Sequence, residues 1–190
     1  MEDYQGIINK ALEKYPTFKK VYGDSGEKIV IENSPINYGI EFFNKTLPDG
    51  SLQHAVNYPD ISWLHPNLGG YGIAINQKNI KGSTEEAIFG DMLHGMHDDP
   101  EYKKRWNNFA DVFKKTPLIN NTKHWYQKAV EKGYQDSFDQ FLKNDIDGRI
   151  RILIQPTDPD YKIFMDEMTP EMALKAYEVL DYMRNGDNGK

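Results

Sequence analysis

Cysteine is absent from this chain of 190 residues. Disulfide frameworks, cysteine-ligated zinc and thiol nucleophiles are excluded with it. Long apolar runs are missing too, and none approaches the roughly 20 residues that cross a bilayer. The opening Met1-Glu2-Asp3-Tyr4 is acidic and polar, unlike a signal peptide. Basic residues are outnumbered, 23 Lys and Arg against 29 Asp and Glu, for a formal net charge of −6. Phosphate backbones need a concentrated basic face, so no direct nucleic-acid partner is expected. Gly69-Gly70-Tyr71-Gly72 lacks the spacing and the following helix of a phosphate-cradling loop, and no Ser sits in a nucleophile elbow. What these absences leave is a soluble cytoplasmic protein without a membrane partner.

What is present is aromatic: 12 Tyr, 9 Phe and 3 Trp. Such bulk opposes disorder and supports a core despite an apolar fraction of only 38%. The length suits one domain. Ile7, Ile8, Ala11 and Tyr15 repeat at helical spacing until Pro16 stops them, and 19–26 reads as a turn-rich link. Lys28–Ile31, Tyr38–Phe43 and Tyr71–Ile75 read as strands. Leu47-Pro48-Asp49-Gly50 is a turn signal.

Beyond Ser83 the chain turns helical. Ser83 and Glu86 have the spacing of a capping box. Asp99 before Pro100 opens a helix with Tyr102, Trp106, Phe109 and Phe113 on one side. Trp125, Ala129 and Val130 give the next helix, 121–132, its apolar face, and Gly133 stands where that helix should end. Asp136 or Ser137 caps a helix holding Phe138, Phe141 and Leu142; Thr169-Pro170-Glu171 opens the last, which stops at Gly186. Gly148-Arg-Ile-Arg-Ile-Leu-Ile154 is ambiguous: its alternation reads as a strand, a helical neighbourhood could override it, and Arg149 and Arg151 are expected on a solvated edge. The expected fold is α+β: a small N-terminal β region with a helix, then a mainly helical C-terminal half. A single domain covers 1–190, with strands and a long loop in 28–75 and helices in 83–186.

Two groups of residues carry candidate chemistry. Asp91, His94, His97 and Asp98 lie on or after the Ser83-capped helix, and His94 with Asp98 has i, i+4 spacing. Carboxylates and imidazoles suit zinc or a similar divalent ion, with His54, Asp60 or His65 as a further ligand. The motif lacks the His-Glu pair of the usual helical zinc site. The plainer alternative is that His94 bonds Asp91 or a carbonyl at a helix junction while Asp98 and Asp99 cap; no cofactor is then implied. The second group, Tyr58, Asp60, Trp63 and His65, lies in an aperiodic stretch from 51 to 70. Aromatic faces with a carboxylate suit a sugar or a peptide, whereas Trp63 and Leu64 pinned to the core is the structural alternative.

Gly90-Asp91-Met-Leu-His94, Asp99-Pro100-x-Tyr102, Trp106-x-x-Phe109, Phe138-Asp-Gln-Phe141, Ile150-Arg151 and the Thr169-Pro170-Glu171 helix together resemble a domain family of tailed-bacteriophage virion and ejection-associated proteins. The resemblance covers about 84–186, with a looser echo in 38–75. It implies a helix at Ile150-Arg151 and a virion-associated or accessory role through protein–protein contacts. Implied partners are other phage or host proteins, with oligomerisation inside a larger assembly, in the host cytoplasm during synthesis and in the virion afterwards. A layout of strands followed by a His-bearing helix also looks like a zincin, which would imply a metal-dependent hydrolase centred on Asp91 and His94. A third reading is an acidic inhibitor of a host nucleic-acid-binding protein.

Overall fold

The computed structural model describes residues 3–33, 39–43 and 71–189. Helix α1 (Tyr4–Lys14) starts where the Asp3 carboxylate accepts from the Gly6 amide at 2.8 Å, and it buries Ile7, Ile8, Ala11 and Leu12. A short 3-10 segment at Pro16–Phe18 runs into α2 (Lys19–Tyr22), where a turn-rich link was expected. The reason is burial: Phe18, Val21 and Tyr22 all reach the core, and one helical turn presents them together.

Among the described residues three strands follow, β1 (Ile29–Asn33), β2 (Ile40–Phe43) and β3 (Tyr71–Ile75). β3 is central, parallel to β1 and antiparallel to β2, with Ile73 opposite both Ile31 and Phe42. Gly72 to Ile75 are buried, as the middle strand of a covered sheet requires.

The remaining helices are α3 (Thr84–Met92), α4 (Pro100–Lys114), α5 (Leu118–Glu131), α6 (Phe138–Ile152), α7 (Tyr161–Glu167) and α8 (Pro170–Asn185). Four of them start on a side-chain cap: Ser83, Asp99, Ser137 and Thr169 each accept from the amide three residues on. Each such cap is worth about 1 kcal/mol. Only the Ser83 half of the capping box at α3 forms, and Thr157 takes the place of the other half. Ser83 N donates to Thr157 Oγ1 at 2.9 Å, and the Glu86 carboxylate accepts from Thr157 N at 3.0 Å.

The architecture is thus α+β, a three-stranded sheet and a leading helix followed by a mainly helical half. α4 and α8 form the centre of that half, with Tyr102, Phe109, Phe113, Val179, Tyr182 and Met183 buried. Thr17 Oγ1 donates to the Met183 carbonyl at 3.0 Å and joins the N-terminal helices to α8. Burial pushes the Tyr182 phenol up, helped by its bond to the Asp99 carboxylate. It stays a donor, so Asp99 both caps α4 and holds α8.

The ambiguous segment resolves as helix: residues 148–152 are the end of α6, because Ile146, Ile150 and Ile154 fall at i, i+4 and i+8 and all are buried. Two expectations are corrected. Arg149 is no solvated edge: it is 8% exposed, its guanidinium stacks on Phe113 and Phe164, and its Nη1 donates to Glu167 at 2.6 Å. α5 turns the other face inward. Leu118, Ile119 and Thr122 pack it down, and Tyr126 meets Phe138 and Phe141 with ring centroids 5.3 and 5.5 Å away. Trp125 and Val130 are left outside, 63% and 45% exposed. Helix α7 had no forecast in the sequence.

Candidate functional site

α3 does not run on into α4. From Leu93 to Asp98 the chain tightens into a 3-10 helix, in which side chains three apart line up. Asp91, His94 and His97 therefore form one row. Facing it is α6, where Asp147 and Arg151 are four apart and share a side. The two rows interlock with complementary partners. Arg151 Nη1 donates to Asp91 Oδ1 at 2.9 Å; His94 Nδ1 meets Asp147 Oδ2 at 3.2 Å and His97 Nε2 meets Asp147 Oδ1 at 2.7 Å. From α4, Trp106 Nε1 donates to Asp147 Oδ1 at 2.7 Å.

Asp147 is the hub. It is 6% exposed and takes three N–H groups from two other elements. Burial alone pushes its carboxyl up, but the hydrogen bonds and charges of His94 and His97 outweigh that and hold it well below the usual carboxylate range. A carboxylate acceptor requires His94 to carry its proton on Nδ1 and His97 on Nε2. In neutral His94 the Nε2 lone pair then lies on the side of Asp91, whose Oδ1 is 4.0 Å away. Ring packing completes the cluster: His97 meets Trp106 edge to face at 4.8 Å between centroids, and His94 lies against Phe42 at 5.7 Å.

The close approach of α3 and the 3-10 turn to their neighbours needs small residues. A Cβ on Gly90 would collide with Arg151 and Gln155, and one on Gly95 with the Tyr22 ring. Tyr22 is fully enclosed, donates to the Met92 carbonyl, and keeps its proton because burial pushes the phenol up.

No match is found among family models, curated proteins or solved structures.

The four residues set out as metal ligands are therefore placed as follows. Asp91 pairs with Arg151, His94 and His97 turn to Asp147, and Asp98 accepts from the Tyr71 phenol at 2.5 Å. Among the described residues no three His, Asp or Glu side chains are grouped to hold an ion. Tyr58, Asp60, Trp63 and His65, proposed as a binding surface, lie outside the described residues, as does His54. The sequence reading missed Asp147, Trp106 and Arg151 as members of this cluster. The signal for the first and last is the i, i+4 spacing of Asp147 and Arg151, which counts only on a helix, and the alternation of 148–154 leaves helix and strand both open.

Proposed function

We propose that this chain works through protein–protein contact, as a virion-associated or accessory protein of the tailed-phage kind that its 84–186 motifs resemble. What supports the reading is the outer face of α5, where a Trp stands 63% exposed beside no covering element among the described residues. Trp and Tyr dominate the energetic centres of interfaces, and burying an aromatic anchor on a partner contributes about 2 kcal/mol or more. α8 adds Leu174 and Tyr177, one helical turn apart and 56% and 61% exposed. The His–Asp147 cluster then serves as the rigid junction that fixes α3, α4 and α6, so that these faces are presented on a defined frame. Trp125→Ser and Tyr177→Ser are expected to move folding stability by no more than about 0.5 kcal/mol, while abolishing co-purification with phage-particle or host proteins. A wild-type chain that sediments as a free monomer in the presence of those proteins sinks the reading.

A second reading, metal-dependent hydrolysis, draws on one observation: His94 is oriented by a buried carboxylate through Nδ1, the arrangement that commonly steadies a ligating imidazole. It needs a further ligand, such as His54 or His65, to join Asp91 and His94. Purified protein should then hold a stoichiometric divalent ion that His94→Ala releases; metal-free protein with unaltered His94→Ala behaviour rules it out.

A further inference from the structure

Six large hydrophobic side chains among the described residues are well exposed, and they fall in two segments of opposite charge. Trp125 and Val130 lie within 114–132, where five lysines accompany a single carboxylate, Glu131, for a net +4. Ile163, Met165, Leu174 and Tyr177 lie within 158–181, where seven carboxylates and two lysines give −5. In a chain of net −6, the first segment is a local reversal of sign.

Along α5, Trp125, Lys128 and Lys132 are three and four residues apart and share the outer side. Lys128 reaches Glu131 at 3.8 Å with both side chains about half in solvent, a weak pair that a partner's carboxylate can replace. Lys132 is exposed and has no ion pair among the described residues. Along α8, Glu171, Leu174, Tyr177 and Asp181 are three, three and four residues apart, again on one side. Glu171 is exposed and has no ion pair among the described residues, and Asp181 accepts from the Asn185 amide at 2.8 Å through one of its two oxygens.

The two stripes are complementary. That of α8 sets two apolar groups between two carboxylates. A Trp laid on Leu174 and Tyr177 therefore brings its neighbouring lysines onto a carboxylate whichever way the helices cross. The helices are also matched in length, about 21 and 24 Å.

We propose that α5 of one copy packs on α8 of a second copy, Trp125 against Leu174 and Tyr177, with Lys128 and Lys132 against Glu171 or Asp181. The two faces differ, so the contact is heterologous. The assignment rests on the reading of α5 and α8 as contact faces and names their partner as this chain itself. A contact between two helices is small, so the association depends on concentration and weakens as salt screens it.

Sedimentation equilibrium of the whole chain tests the pairing. Wild-type protein should show a mass above the monomer that rises with protein concentration and falls with sodium chloride. Lys128→Glu/Lys132→Glu and Glu171→Lys/Asp181→Lys should each weaken self-association by about ten-fold or more, as like charges replace opposite ones. An equimolar mixture of the two variants should recover it, because each altered face then meets its complement. Trp125→Ser, a single exposed change, should weaken it without any change of charge. Wild-type protein that is monomeric at every concentration overturns the pairing, and so does an oligomer untouched by Trp125→Ser. A mixture that stays monomeric, with both variants keeping the wild-type circular dichroism, overturns it as well. A chain monomeric alone that still co-purifies with particle or host proteins overturns the self-pairing and leaves the protein–protein reading standing. Recovery in the mixture with no other protein captured upholds the pairing and counts against the phage-partner reading alone.

Discussion

Arg151→Met is expected to destabilise the chain by about 3 kcal/mol, read as a lower urea midpoint with an unchanged slope. Asp91 is 1% exposed and its Oδ1 is held by Arg151 at 2.9 Å. Met retains much of the length and packing of the Arg stem, so the loss reports the stranded carboxylate and not a void. Burying an unpaired charge is costly even when the original pair added little net stability, and here Arg151 keeps about a third of its side chain in solvent, which moderates the cost. The double variant Asp91→Asn/Arg151→Met should recover most of the loss, since the charge that needed a partner is gone. If the single and double variants unfold at the same midpoint, the pair has no such role.

Asp147→Ala should cost a comparable amount, about 3 kcal/mol, because the Trp106 indole and both imidazoles lose their acceptor together. Asp147→Asn separates shape from charge and carries the pH signature. The Asp147 carboxyl titrates lower in the folded chain than in the unfolded one. In the unfolded chain it binds a proton below about pH 4. The unfolded state therefore holds more protons in the acid range, and stability rises with pH there. The contribution of Asp147 is fully present above about pH 4 and is lost as pH falls toward the folded-state value. Wild-type protein should lose stability over that acid window more steeply than Asp147→Asn. Parallel profiles would show that the histidines do not stabilise the charged carboxylate.

Much of the fold was legible because local chemistry decided it. Ser83, Asp99, Ser137 and Thr169 cap helices with their own side chains, and Tyr71–Ile75 is a strand over the residues its apolar run suggests. Arg149-Ile-Arg-Ile was ambiguous for a physical reason. Four alternating residues fit a strand, while the same isoleucines continue the spacing of Ile146, and only the longer window from Ser137 chooses between them. The face of α5 was misread because Trp125 is the more hydrophobic choice, yet the inward position is set by Thr122 and its bond to Asp145 at 2.6 Å. The site was half legible. Asp91, His94 and His97 stood out by type and spacing, but their acceptor Asp147 is 50 and 53 positions from its two imidazoles, beyond any local pattern.

The shared cap at α3 bears on the order in which the chain acquires structure. Ser83 and Glu86 complete their bonds through Thr157, a residue 71 to 74 positions later, and Thr17 waits for the Met183 carbonyl, 166 positions away. On a ribosome, the first strands and α3 leave the exit tunnel long before either partner is made. Their final locking thus follows synthesis of the C-terminal segments, and contacts this distant in sequence close more slowly than a local helix forms.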